Sequence, residues 1–101
     1  MEKVEQFYNK NQFLIKGQNG ITFQSYKSTI ANIDENGNLT LFTDWDYSKT
    51  TLKHLYLFIH DYFCKLNYNT RNLLLDLEYS KNKRDFLQKL IDNKKICYIV
   101  E

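Results

Sequence analysis

Apolar and polar residues follow two different periods along the chain. Up to Asp44, apolar positions tend to recur every second residue, as in a strand with one buried face. After Ser48 they recur every three or four residues, which is the spacing of a helix with one apolar stripe. The pattern predicts one α+β domain over residues 1–101, with an antiparallel meander of about four strands covered on one face by two or three helices.

Two Asn-Gly pairs, at residues 19–20 and 36–37, indicate hairpins in the first part of the chain. Each pair lies between short runs of β-forming residues, where the chain can reverse direction. The short link at residues 26–27 would join the two hairpins into a four-stranded meander. Residues 1–10 are ambiguous and also fit a single helical turn.

The register of each hairpin follows from its loop length. A three-residue loop over 35–37 pairs Ile33 with Leu39, so their side chains share one face of the sheet. The same loop length in the first hairpin pairs Ile15 with Phe23. We therefore predict two three-residue loops.

One long helix over residues 49–66 is the clearest element of the second part. Ser48 or Thr50 can cap its first turn, because either hydroxyl accepts a hydrogen bond from a free backbone N–H. Two shorter helical patterns follow, the first with Thr70 as its predicted cap. Residues 96–100 are a run of mostly apolar residues that predicts a C-terminal strand rejoining the sheet.

The apolar stripe of the long helix should pack on the meander. The predicted contacts join Leu52, Leu55, Ile59 and Phe63 to Ile15, Phe23, Ile33, Leu39 and Leu41.

The composition is that of an ordinary globular domain, with 43% hydrophobic residues, 26% charged residues and a formal net charge of +2. This near balance does not favour a dedicated nucleic-acid domain, which usually carries more basic charge. No run approaches the roughly 18–20 apolar residues of a membrane span, and the charged start lacks the apolar centre of a signal peptide. We expect the chain to work in a bacterial cytoplasm, with Cys64 and Cys97 as buried, reduced thiols.

Two stretches carry a distinctive pair of motifs: FQSYKSTIA at residues 23–31 and WDYSKTTLKHL at residues 45–55. Together they resemble a family of small proteins encoded by bacteriophages and mobile elements, mostly of low-GC bacteria. The resemblance covers about residues 20–66. It implies a phage or mobile-element setting, and it implies neither an activity nor a catalytic residue.

The segment around the start of the long helix is the first candidate for a binding surface. Free N–H groups at a helix start and aromatic rings beside them suit an anionic group or a protein partner. The candidate protein-binding residues are Trp45, Asp46, Tyr47, Lys49, Lys53 and His54. The alternative is structural, with polar residues capping the helix while Trp45 and Tyr47 fill the core.

Basic residues in the last third of the chain form a second candidate surface. Arg71, Lys81, Lys83, Arg84 and Lys89 could contact phosphates while neighbouring tyrosines stack on bases. The alternative is an ordinary solvated helix face, because acidic residues lie between the basic ones.

Catalytic chemistry has little support in the sequence. His60 and Cys64 share a helix face but lack the spacing of a metal site, and no nucleophile or phosphate-loop motif is present. We therefore predict no enzyme activity, no catalytic residue, no metal and no cofactor.

The predicted function is that of a small phage or mobile-element protein that binds a host or phage protein, for instance to counteract a host defence system. Nucleic-acid binding through the basic residues is the alternative. No membrane contact is expected, and an unpaired outer strand could join two copies in a homodimer.

Overall fold

The computed structural model describes residues 3–100, which form one mixed sheet and three α-helices. The strands are β1 (Lys3–Phe7), β2 (Asn9–Gly17), β3 (Gly20–Ser25), β4 (Ser28–Ile33), β5 (Leu39–Phe42) and β6 (Cys97–Ile99). The helices are α1 (Lys49–Asp61), α2 (Tyr68–Leu74) and α3 (Lys83–Asp92), and 3₁₀ turns at Thr43–Asp46 and Phe63–Lys65 flank α1. None of these helices has the length and apolar character needed to cross a membrane.

The six strands follow one another across the sheet in chain order. Neighbours from β1 to β5 are antiparallel, and β6 lies parallel to β5 after the chain has passed through the helices. The predicted α+β fold and the return of a C-terminal strand are confirmed. The sheet is larger than predicted because Lys3–Phe7, where one helical turn also fitted, pairs with β2 instead.

The β4–β5 hairpin has the predicted register. Ile33 lies opposite Leu39 and Ala31 opposite Leu41, and all four side chains are buried. Gly37 in the connecting loop has a φ of +80°, a conformation that the missing Cβ makes accessible.

The β2–β3 hairpin differs from its predicted register by one residue. Leu14, rather than Ile15, lies opposite Phe23, which places the two buried side chains together. Gly20 belongs to the sheet rather than to the loop, so the loop is one residue shorter. A side chain at Gly20 would overlap the backbone carbonyl of Ile33, so the absence of a Cβ lets β4 approach this end of the hairpin closely.

Helix α1 begins at the predicted cap and ends earlier than predicted. The Ser48 hydroxyl accepts a hydrogen bond from the Thr51 N–H at 3.1 Å. The helix stops at Asp61, and the chain then tightens into the 3₁₀ turn at Phe63–Lys65 instead of continuing to residue 66.

The sheet-facing side of α1 forms the centre of the core. Leu55 and Ile59 are buried, as predicted. Phe58, which the predicted stripe left out, is fully buried and stacks on Phe23 with 5.7 Å between ring centroids. The stripe is therefore wider than the predicted set, and its aromatic pair joins helix to sheet.

Helix α2 is capped by Asn67 and not by the predicted Thr70. The Asn67 side-chain oxygen accepts from the Thr70 N–H at 2.8 Å, and Thr70 itself is buried. The Asn67 amide nitrogen donates to the Asn36 carbonyl at 3.2 Å and to the Asn38 side-chain oxygen at 2.8 Å. One asparagine therefore starts α2 and fixes it to the β4–β5 loop.

The two cysteines are exposed, so the prediction that both are buried is wrong. Cys64 lies in the turn at Phe63–Lys65, beyond the end of α1, where helical spacing no longer sets the direction of a side chain. Cys97 begins β6 at the edge of the sheet.

The two faces of the sheet have different environments. Cross-strand pairing aligns the buried side chains Leu14, Phe23, Ala31 and Leu41 on the face that the helices cover. The neighbouring row of paired residues lies one position further along each strand and therefore on the opposite face. Its members are Val4, Ile15, Thr22, Asn32, Thr40 and Cys97. No side chain of this second row is buried, and we call its side of the sheet the open face.

Candidate functional site

The structure divides the predicted surface around the start of α1. Trp45 is 2% exposed and His54 is 4% exposed, so both side chains lie in the core and beyond the reach of a partner. The 3₁₀ turn folds Trp45 inward, and His54 occupies the sheet-facing side of α1, where its Nδ1 donates to the Thr50 carbonyl at 2.8 Å. Tyr47, in contrast, is 75% exposed.

Asp46 connects the start of α1 to α3. One oxygen of its carboxylate accepts from Arg84 Nε at 3.0 Å and lies 2.8 Å from a terminal guanidinium nitrogen of the same residue. The Arg84 guanidinium also lies 5.8 Å from the centroid of the Trp45 ring. Asp46 and Arg84 therefore serve to fix α3 in place, and their charges offset each other.

A groove runs along the outer side of α1. Its floor consists of Leu52, Tyr56 and Phe63, with the buried Ile59 at the boundary between the floor and the core, and their spacing aligns these residues along the helix and its end. Leu52 and Phe63 were predicted to meet the sheet, and they are half-buried here. Helix α1 therefore has two apolar sides, one against the sheet and one that forms this floor.

The far wall of the groove comes from the end of α2 and the turns that follow it. Leu74, Leu75, Leu77 and Tyr79 line it, and the groove encloses about 960 Å³. Leu74 and Leu77 are buried, whereas Leu75 is 57% exposed and Tyr79 is 82% exposed. Leu75 and Tyr79 thus leave apolar surface of the wall in contact with water.

The rim of the groove carries more positive than negative charge. Its ionisable residues besides tyrosines are Lys49, Lys53, His60, Lys83 and Glu78. Burial raises the pKa of Tyr56 in the floor, although the nearby Arg84 partly opposes this. The Tyr56 phenol therefore stays neutral at physiological pH, and the positive rim surrounds an uncharged floor.

Sequence patterns identified the apolar residues of the floor but assigned them to the sheet, and they did not predict the wall. Four leucines occur within residues 73–77, which is more than a seven-residue helix can bury along one side. Helix α2 ends at Leu74, so the leucines that follow point in directions that helical spacing does not predict. This excess of leucine was the sequence feature from which the wall could have been predicted. Of the predicted protein-binding residues, the structure brings Lys49 and Lys53 to the rim.

The predicted nucleic-acid residues lie on different elements. Arg71 is on α2, Lys81 is in the turn before α3, and Lys89 is on α3. Lys83 belongs to the groove rim, and Arg84 is paired with Asp46 and approaches Asp85. Nucleic-acid binding stays a prediction from the sequence.

Metal ligands are not grouped in the part of the chain that the structure describes. Among residues 3–100, no three His, Cys, Asp or Glu side chains lie close enough to hold one ion. Because α1 ends at Asp61, His60 and Cys64 do not share a face of one helix.

Comparison with known proteins identifies a family without adding a function. Residues 1–72 match the model of a family of unknown function, DUF8033, and the chain belongs to that family. No curated protein and no solved structure matches the chain. The matched residues include β1 to β5 and α1 with the groove floor, while the wall residues lie beyond them.

Proposed function

We propose that this member of the DUF8033 family is a protein-binding module, and that its groove holds the apolar side of an acidic amphipathic helix from a host or phage protein. The observation that carries the proposal is the apolar wall left exposed at Leu75 and Tyr79. Small soluble domains seldom leave such residues next to an apolar cleft unless a partner covers them.

The shape of the groove favours a helix as the bound segment. Lining residues occur from Lys49 to Phe63, so the groove follows the whole of α1, which has 13 residues. A helix of that length extends about 20 Å, and this matches several turns of a second helix lying alongside. Recognition of an amphipathic helix in an apolar groove is a common mode of protein binding.

The charges at the rim favour an acidic partner. Lys49, Lys53 and Lys83 oppose a single acidic residue, Glu78. Lysines can cover the apolar floor with their stems and place their ammonium groups beside a partner's carboxylates. Acidic residues flanking the apolar side of the bound helix would speed association and exclude basic helices.

A pair of labelled peptides tests the groove directly. Both have leucines along one side of a helix, and the polar side carries glutamates in one peptide and lysines in the other. Fluorescence anisotropy should show saturable binding of the glutamate peptide, with at least about tenfold weaker binding of the lysine peptide. Leu75→Glu should weaken binding of the glutamate peptide by about tenfold or more, because it places a charge in the apolar wall.

Tyr47→Ser is the matched control, since Tyr47 is an exposed aromatic residue outside the groove lining. Its binding should equal that of the unchanged protein. If Tyr47→Ser abolished binding and Leu75→Glu did not, the partner would dock at the start of α1 and the groove would not be the site. Failure of both peptides to bind would also count against the proposal.

The resemblance of the two sequence motifs to those of phage-encoded proteins supports a bacterial host as the source of the partner. Interference with a host defence protein is the narrower form of this proposal. Affinity capture from a bacterial lysate should recover a protein with the unchanged chain and lose it with Leu75→Glu. Equal recovery with both chains would show that the captured protein does not bind in the groove.

A further inference from the structure

We propose that the open face of the sheet is a self-association surface, on which a second copy of this chain packs sheet against sheet. The surface lies on the opposite side of the sheet from the helices, so this inference does not rest on the groove.

The first observation is that, among residues 3–100, the strands place no charged side chain on the open face. Pairing across the sheet aligns Val4, Ile15, Thr22, Asn32, Thr40 and Cys97 in one row. The next row on the same face carries Phe13 and Gln24 on β2 and β3, and Phe42 and Ile99 on β5 and β6. Surfaces of soluble domains are usually about 25–35% charged, so a six-stranded face to which the described strands contribute no charged side chain is a marked departure.

The second observation is that the charges of these strands lie on the other face. Lys16 and Glu5 form an ion pair at 2.8 Å, and Lys16 also lies 5.6 Å from the centroid of the Tyr62 ring beside α1. The strands therefore do carry charged residues. Their alternation places those residues towards the helices and leaves the open face neutral.

A second copy fits this surface better than other partners do. In a twofold dimer each surface meets its own copy, so any charge near the axis would face a like charge, and this face has none. A nucleic acid needs cations opposite its phosphates, and an unrelated protein is usually selected through complementary charges; the open face offers neither. Its mixture of Phe and Ile with Thr, Asn and Gln supplies both apolar contact and neutral hydrogen-bonding groups for aligned packing of two sheets.

The two exposed cysteines provide a test in the unchanged protein. Cys97 is in the row of the open face, and Cys64 is exposed in the turn after α1, so one thiol lies in the proposed interface and the other lies outside it. Labelling with a maleimide is timed at protein concentrations from about 1 µM to about 500 µM, a range over which mass action favours a dimer. The rate at Cys97 should fall severalfold as concentration rises, while the rate at Cys64 stays constant.

Charged variants and a size measurement complete the test. Sedimentation velocity should show a dimer at the upper concentrations, and Thr22→Lys or Thr40→Lys should weaken it by at least about tenfold. Thr50→Lys is the matched control, because Thr50 is an exposed threonine on α1, and it should leave the dimer intact. Circular dichroism confirms that each variant is folded.

A monomer at every concentration, or Cys97 labelling that does not change with concentration, would overturn the proposal. A dimer that persists in both charged variants would also overturn it, because the contact would then lie elsewhere, such as the exposed edge of β6.

Discussion

Gly37 shows how a single residue joins two elements. Its φ is +80°, and a Cβ at this position would overlap the backbone nitrogen of Asn67, while its own carbonyl accepts from that nitrogen at 2.9 Å. The β4–β5 loop can approach the start of α2 only because no side chain stands between them. Glycine is therefore required here for its conformation and for the space it leaves.

Gly37→Ala should lower the free energy of unfolding by about 1–3 kcal/mol, through backbone strain and the displaced contact with Asn67. Urea denaturation measures the change. Gly17→Ala is the control at a glycine whose φ is not positive, and it should have a smaller effect. Equal losses of unfolding free energy in the two variants would show that the close approach of Gly37 to Asn67 does not contribute to stability.

Asp34 in the same loop predicts a pH dependence of stability. Burial alone would raise the pKa of Asp34, but hydrogen bonds from Asn38 and Asn36 outweigh it and hold the pKa below its ordinary value. The ionised carboxylate is favoured in the folded state, so its contribution is present at neutral pH. The contribution is lost as pH falls below about 4 and through the folded-state pKa.

Asp34→Asn should therefore be less stable than the unchanged protein at pH 7, and the difference should shrink as the solution becomes more acidic. Urea denaturation at a series of pH values checks this. Glu35→Gln, at the exposed neighbouring residue, should show no such trend. A difference that stayed constant with pH would contradict the role given to the Asp34 charge.

Predictions for single residues had mixed outcomes. Ser48 caps α1 as predicted, whereas Thr70 does not cap α2. Trp45 is buried, as the structural alternative predicted, but the burial of His54 and the exposure of Cys64 depend on where elements end and on what packs against them. Apolar spacing contains neither piece of information.

At the scale of elements, two asparagines cap helices with different numbers of contacts. Asn82 accepts from the Asp85 N–H at 3.0 Å and starts α3. Asn67 makes the equivalent bond to Thr70 and also donates two hydrogen bonds to the β4–β5 loop. Comparing the two asparagines separates the stability that comes from capping a helix from the stability that comes from joining α2 to the β4–β5 loop.

Asn82→Ala should cost about 1 kcal/mol, which is typical for the loss of a cap. Asn67→Ala should cost about 2–3 kcal/mol, because it also removes the bonds to the loop. Thermal and urea unfolding of both variants measure the difference. If the two costs were the same, the bonds between Asn67 and the loop would contribute nothing to stability.

The elements themselves were largely predictable, and their register was predictable in one hairpin of two. The β4–β5 pairing follows from its own loop and its apolar residues. The β2–β3 pairing places Gly20 in the sheet with its backbone close to Ile33 of β4, and this close approach does not exist until the sheet forms. The groove wall was missed for a related reason, since its leucines lie after the end of a helix.

At the scale of the whole molecule, the two parts of the groove are attached differently. The floor belongs to α1, whose other side is in the core. The wall belongs to the end of α2 and the turns that follow it, and Asn67 joins α2 to the β4–β5 loop. Strand β6 has three residues and one neighbouring strand. Short exposed elements with one partner are usually the first to open locally.

Hydrogen exchange should therefore distinguish β6 from the central strands of the sheet. Backbone amides of β6 should exchange faster than those of β3 and β4, which have neighbours on both sides. Exchange followed by mass spectrometry under native conditions measures this. Equal protection of β6 and the central strands would mean that the molecule opens only as one unit.

The parallel pairing of β6 has a further consequence for the order of assembly. Strands β1 to β5 meet partners that are adjacent in the chain, whereas β6 must close the long segment between Phe42 and Cys97. On a translating ribosome the meander also emerges before the helices and before β6. A nascent chain would thus form its antiparallel meander first, the groove wall would follow, and β6 would complete the sheet last.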